Sequence, residues 1–366
     1  MKISNSKLLL ISILISVFLL EVASLVVYKF LPEHFNNGKR IVAIYLGNEP
    51  EIQSKIEPHP YLLYQTTKNF SGKGFLQHNS LRYRNEEFEI ERDSSVTRIL
   101  ALGGSTTYMF PYVPNPNNTW VGQLENHLNK QGKGKFQVIN AGLSYATTAE
   151  LLASYAFRHQ FLKPDILIIH TGGNDITPLF YENYDSEYTH FRASGNGLKP
   201  RKFEKYILKI SATLRLFYTI WLNTQETVYQ SQPYTLDLID REKALERVRQ
   251  NESLGFRRNL ETLVKMAKND GVKVLLFGFL QAREGNLSTN KPVLKGLEKA
   301  YSIGLQKHYK IMEEISQKYE VPFIIPKQEL FEDSWFLDNC HLNEEGEKVK
   351  AKILFDFFTE RNFMNE

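Results

Sequence analysis

The sequence predicts an α/β fold: a parallel sheet covered by helices on both faces, preceded by one N-terminal transmembrane helix. Two observations predict it. Short, apolar, β-branched runs alternate with helical patterns through most of the 366 residues, as strands and crossover helices do in a parallel sheet. Ahead of them, Leu8 to Tyr28 reads LLLISILISVFLLEVASLVVY, about the length that crosses a hydrocarbon core.

Lys2 and Lys7 precede that segment and Lys29 follows it. Glu21 is its one ionisable residue. An acid near a helix centre costs on the order of 3 kcal/mol, while each of about fifteen Leu, Ile, Val and Phe residues contributes roughly 0.3–0.6, so insertion wins. A cleaved signal peptide with an apolar stretch from Leu8 to Leu20 competes with this reading. The following EVASL lacks a small-x-small cleavage site, which favours a membrane anchor over residues 1–29. Glu21 is either an intramembrane charge seeking a partner or an acid relieved by a small shift toward the interface. Lys29, Lys39 and Arg40 balance Lys2 and Lys7, so charge counting leaves the orientation open.

Residues 30–96 are polar and irregular, with HPYLLYQ at His59 and HNSLRYRNEEF at His78. They read as a stalk that then wraps the main domain with short strands. The main domain, 97–362, carries the strand-like runs RILAL (Arg98 to Leu102), FQVIN (Phe136 to Asn140), DILIIH (Asp165 to His170), VKVLLFGFL (Val272 to Leu280) and PFIIP (Pro322 to Pro326). The first four are continuous rather than alternating, as strands buried on both faces are. Helical patterns run from about Thr119 to Lys130, Thr147 to Phe161, Arg241 to Asn269, Pro292 to Lys318 and Asn343 to Arg361. An insertion, about 176–240, interrupts the alternation. Its Lys199 to Asn223 stretch has basic residues at one end and apolar residues at helical spacing. It reads as an amphipathic helix packed on the domain, with a lid or a lipid-touching surface helix as the alternative.

Composition excludes several function classes. With 42% hydrophobic and 23% charged residues, the chain is not a disordered protein. Its 45 basic and 41 acidic residues are too balanced and dispersed for nucleic-acid binding. The single cysteine, Cys340, excludes an intrachain disulfide and a cysteine-based metal framework. The sequence contains neither a phosphate-binding loop nor a metal-ligand cluster, so no cofactor and no metal is expected.

Four short blocks carry the chemistry: GGST at Gly103, NAG at Asn140, GGND at Gly172 and DNCH at Asp338. The first three each follow a core strand, where ligands bind to a parallel sheet. Gly103 and Gly104 let the chain turn sharply and leave Ser105 exposed as a nucleophile, with its own N–H directed at an oxyanion. Gly142 can offer a second backbone N–H and Asn174 a side-chain amide. His341 is the candidate general base, and Asp338 can hold its tautomer. His170 ends a strand and reads as a core residue, Cys340 as a small buried thiol, and Trp120 and Trp335 as core packing rather than an acyl-pocket lining.

Together these blocks resemble the SGNH, or GDSL-type, hydrolase superfamily over roughly Arg98 to Arg361. The resemblance implies a flavodoxin-like three-layer α/β/α sandwich. It also implies a Ser105–His341–Asp338 triad and an oxyanion hole built from the Ser105 amide, Gly142 and Asn174. The family's first block usually reads GDS, and Gly104 replaces that acid here, which changes the hydrogen bonding of the loop. GGSTT with a later GGND is also similar to a membrane-anchored bacterial subgroup, which implies an extracytoplasmic catalytic domain. The expected activity is a lipase-like serine esterase acting on lipid, acylated glycan or small esters. An O-acyltransferase acting on envelope glycans would use the same residues. A catalytically silent glycan- or partner-binding envelope protein is the alternative of a different class, against which the intact tetrad argues.

Overall fold

The computed structural model describes residues 4–32, 55–131, 134–191, 202–224, 239–283, 296–361 and 363, with single positions at 35, 39 and 42. Most of the expected stalk before residue 55, and the insertion outside 176–191, 202–224 and 239–240, lie outside the described residues. The chain forms two compact units, Met1–Ser54 with Ser194–Ser231, and Lys55–Ala193 with Gln232–Glu366.

Helix α1 (Asn5–Lys29) is continuous, with a mean hydropathy of 2.7 over its most apolar window. Its apolar side chains are almost all exposed, so it is long and apolar enough to cross a bilayer. Two hairpins open the second unit: β1 (Ile56–His59) with β2 (Leu63–Thr66), and β3 (Ser71–Gly72) with β4 (Phe75–Leu76). The alternating part follows as β5 (Val96–Gly103), α2 (Ser105–Tyr108), α3 (Trp120–Lys130), β6 (Lys135–Gly142), α4 (Thr148–Phe157) and β7 (Ile166–Thr171). The inserted helices α5 (Lys202–Ile210) and α6 (Ala212–Thr224) belong to the first unit. The remainder is α7 (Arg241–Gln250), α8 (Leu254–Asn269), β8 (Lys273–Gly278), α9 (Glu298–Tyr319), β9 (Phe323–Ile324) and α10 (Glu344–Glu360).

All five long-range strands pair in parallel, in the order β6-β5-β7-β8-β9. Counted within the sheet this is 2-1-3-4-5, the flavodoxin-like order, with its switch point between β5 and β7. The strand side chains alternate between two layers of helices, as a doubly covered sheet requires. Leu100, Leu102, Leu167 and Ile169 pack with α4, α8 and α9, whereas Ile99, Ala101, Ile166 and Ile168 pack with α3 and α10.

The helix expected from Arg241 to Asn269 is two helices. Asn251 leaves the helical path and donates from Nδ2 to the Leu179 and Tyr181 carbonyls, while Lys307 Nζ binds the carbonyls of Val248, Arg249 and Asn251. Those long-range bonds outweigh the continuous helical pattern. The Thr147–Phe161 pattern likewise ends at Phe157 and continues as a 3-10 turn, His159–Leu162.

Four buried histidines are neutral in this fold. Burial pulls His78 and His308 down to about 4, and His159 and His170 well below the ordinary histidine value. His78 Nδ1–H donates to the Thr67 carbonyl and Nε2 accepts from Tyr108 Oη, while His308 Nδ1–H donates to Gly172 and Nε2 accepts from Ser253 Oγ. The unfolded chain takes up these protons near pH 6.5 and the folded chain does not. For His78 and His308 the stability is therefore fully present above about pH 6.5 and falls toward pH 4, by about 1.4 kcal/mol per pH unit for each histidine. Urea unfolding of the detergent-solubilised chain is expected to show a midpoint that falls between about pH 7 and 5. His308→Gln should flatten that slope, and an unchanged slope would contradict the assignment.

Candidate active site

The parallel register brings the three strand-end blocks level. Gly103 lies opposite Gly142 on β6 and opposite His170 on β7. Ser105 opens α2 immediately after the β5 turn, with Gly104 as its N-cap. Both glycines answer close approaches. A Cβ on Gly103 would overlap Thr107 Oγ1 and come within 2.5 Å of the His170 carbonyl, and one on Gly104 would lie 2.6 Å from Asn174 Nδ2. Gly104 is therefore the residue that lets Asn174 reach the turn that carries Ser105.

Asn174 is itself pinned, donating from Nδ2 to the Ala146 carbonyl at 2.7 Å. Its neighbour Asp175 is fully buried and accepts from Thr148 N, Thr148 Oγ1 and Tyr188 Oη. Burial pushes the Asp175 carboxyl up to about 6, against the pull of those hydrogen bonds. Gly172, at the start of the block, has φ +123° and gives its carbonyl to His308 at 2.7 Å.

Gly142 ends β6. Its N–H donates to Asn140 Oδ1 at 3.0 Å, and a Cβ there would overlap the Tyr108 nitrogen. Its lack of a side chain serves strand-to-turn packing, and in this structure its amide is bonded to Asn140. Beside it, Tyr145 holds a left-handed φ of 64°, a conformation uncommon outside glycine.

Asp338 and His341 sit in a tight loop closed by the Leu337 N–H on the His341 carbonyl and followed by Asn343, which caps α10. His341 Nδ1–H donates to Asp338 Oδ2 at 2.7 Å, and the Cys340 and His341 amides donate to Oδ1 at 2.9 and 2.8 Å. Burial alone would raise the Asp338 carboxyl. The His341 ring and the two amides outweigh it and hold the group well below the usual carboxylate range. His341 Nε2 is buried without a hydrogen-bond partner, so Ser105 Oγ is not bonded to it in this structure. Tyr112 stacks on the imidazole, with ring centroids 4.0 Å apart and planes at 9°. Burial and the Asp338 carboxylate push the Tyr112 phenol up, keeping it protonated.

Asp338, Cys340 and His341 bring three potential metal-ligand atoms within 4.8 Å. Burial and Asp338 push the Cys340 thiol up, and the carboxylate and Nδ1 are bonded to each other, so the trio is poorly suited to hold a cation. His170 lies in the core, bonded through Nδ1 to Thr107 Oγ1 and packed edge-on to Trp120. Trp120 is fully buried in the same layer, and Trp335 is half-buried beside Phe336 and Leu342. A concavity of about 660 Å³ is lined by Thr97, Asp165 and Lys273 at the opposite ends of the strands, away from all four blocks.

Residues outside the four blocks brace the site. Arg84 is almost fully buried and donates to the carbonyls of Tyr108, Val113 and Pro114, on the loop that carries Tyr112. Lys350 and Glu347, a buried ion pair on α10, bind the Thr106 carbonyl and the Trp120 amide. The i,i+3 spacing of Glu347 and Lys350 was readable as a helical pair, but its burial was not.

A family model described as the GDSL-like lipase/acylhydrolase family matches residues 101–349. The chain belongs to that family. Among solved structures it is similar to a lipase/acylhydrolase from Enterococcus faecalis (16% identity over 72% of this chain and 96% of that one, TM-score 0.41). It is also similar to a catalytic mutant of the acetylxylan esterase Axe2 from Geobacillus stearothermophilus (15% identity over 72% and 94%, TM-score 0.43). No curated protein matches the chain.

Gly104→Ala should drive Asn174 off the Ala146 carbonyl. Expected is a loss of about 10- to 100-fold in esterase kcat with circular dichroism unchanged, less than the loss of a whole oxyanion donor. Wild-type turnover in Gly104→Ala would remove the steric assignment.

Proposed function

We propose that the protein is a membrane-anchored serine esterase that hydrolyses carboxylic esters through an acyl-enzyme on Ser105, with its catalytic domain on the extracytoplasmic side. The observation that carries this reading is the Asp338–His341 bond, which fixes Nδ1 as the protonated nitrogen and leaves Nε2 buried and without a hydrogen-bond partner. That is the state in which imidazole accepts a proton.

Attack transfers the Ser105 hydroxyl proton to His341 Nε2 as Oγ bonds to the acyl carbon. The resulting oxyanion is met by the Ser105 amide, an unpaired donor by position at the start of α2, and by the Asn174 side chain. Collapse breaks the bond to the leaving oxygen, which takes the proton from His341. Water then gives a proton to the same nitrogen and attacks the acyl carbon, releasing the acid and restoring Ser105. Asp338 stays ionised throughout and stabilises the imidazolium. Tyr112 covers one face of the ring and restricts its rotation.

For the anchor, Lys7 and Lys29 bracket 21 residues of α1, about 32 Å of helix, which matches a hydrocarbon core of about 30 Å. The substrate is proposed only as a lipid, an acylated glycan or a small ester.

Hydrolysis of p-nitrophenyl esters of increasing chain length by the detergent-solubilised chain tests the activity. Ser105→Ala and His341→Ala are expected to lose at least about 10,000-fold in kcat, and Asn174→Ala about 100- to 1,000-fold with less effect on KM. Labelling by a serine-reactive fluorophosphonate should disappear in Ser105→Ala. Turnover that persists in Ser105→Ala would end this reading.

A further inference from the structure

Helices α5 and α6 present an apolar stripe that no described residue of their own unit covers. Phe203, Tyr206, Ile210, Leu214, Phe217 and Trp221 recur at three- and four-residue steps, and each is between 44% and 71% exposed. A water-facing helix pair turns such a stripe inward. Here the buried positions are instead the smaller set Leu208, Ala212, Leu216 and Thr219, on the helices of which α6 packs against α1.

The junction with α1 is polar and specific. Glu21 accepts from Ser211 Oγ at 2.6 Å, from the Ala212 amide at 2.6 Å and from the Thr213 amide at 3.3 Å. One turn further along α1, Ser24 is buried and shares a hydrogen bond with Thr213 Oγ1 at 3.0 Å. Glu21 thus caps the first turn of α6 from 190 residues away, at the helix end that favours an anion. Ser24, Ala212 and Thr219 are small residues of the kind that let membrane helices approach closely.

Depth decides what surrounds the stripe. Glu21 lies eight residues before Lys29, about 12 Å along the helix, so a spanning α1 holds it inside the hydrocarbon. Groups bonded to it share that depth. Neither α5, with 9 residues, nor α6, with 13, reaches the roughly 20 residues of a full span. We infer that α5 and α6 are embedded in one leaflet of the bilayer that α1 crosses, docked on α1 through Glu21 and Ser24, with the Phe203–Trp221 stripe against lipid acyl chains. This rests on α1 being a membrane anchor. Lys209, exposed near the end of α5, has a stem long enough to carry its ammonium toward the headgroups.

The three tryptophans make the test direct. Trp120 is fully buried and Trp335 half-buried in the second unit, so emission lost in Trp221→Phe reports on α6. The full chain is reconstituted in phosphatidylcholine–phosphatidylglycerol vesicles and separated by flotation. Phosphatidylcholine with a nitroxide on the acyl chain should quench the Trp221 component at least about twofold, as expected for a ring at interfacial-to-acyl depth. Glu21→Leu should still float but lose at least about half of that quenching. Flotation with no Trp221-dependent quenching would overturn the inference and leave the anchor standing, whereas failure to float would overturn the anchor itself. Full quenching in Glu21→Leu would overturn the docking through Glu21.

Discussion

At the carboxyl edge of the sheet, three chain segments meet in space that two β-carbons would otherwise fill. Gly103 lets the end of β5 lie against the His170 carbonyl and Thr107, and Gly104 lets Asn174 lie against the Ser105 turn. The rest of the site depends on that contact. Asn174 reaches Ala146 only across Gly104, and Ala146 belongs to the loop between β6 and α4. Strand order supplies the setting, because β5 and β7 are adjacent at the switch point where their following loops diverge. Glycine supplies the clearance.

The loops around this edge are held mainly by their carbonyl oxygens. Arg84 gathers carbonyls from 108–114, His308 takes that of Gly172, and Lys350 with Trp120 Nε1 takes that of Thr106. Each donor is buried, so each bond is made in a low dielectric and its loss would leave a carbonyl without water. Buried cations are costly alone. Lys350 is neutralised by Glu347, and Arg84 spreads its charge over several oxygens. Rigid backing of this kind holds donors where a reaction would develop charge. The segment between β4 and β5 supplies Arg84, which gives that segment a positioning part in the architecture.

The two units handle polarity in opposite ways. The second hides its leucines and isoleucines in two layers about the sheet and buries charge where it is hydrogen-bonded, as at Arg84 and at Glu347 with Lys350. In the first, the large apolar side chains of α1 and α6 are exposed, while Glu21, Ser24 and the start of α6 bond to one another. Backbone amides and a carboxylate that satisfy each other internally fit a surrounding without water.

Much of the fold was legible in the residues. Short, apolar, β-branched runs marked all five parallel strands, helical patterns marked α3, α9 and α10, and the apolar run marked α1, because each signal depends on neighbours within a turn or a pleat. The four blocks could be assigned to strand ends and to a pre-helix loop, and the proximity of Asp338 to His341 followed from their three-residue spacing. What tertiary structure alone decided was the choice of partner. Gly142 gives its amide to Asn140, Arg84 turns inward to three carbonyls, one long helix breaks at Asn251, and Glu21 meets Ser211. The sequence carries local conformational preference directly. Hydrogen-bond partners distant along the chain are set by which surfaces packing brings within about 3 Å, and no periodicity encodes that.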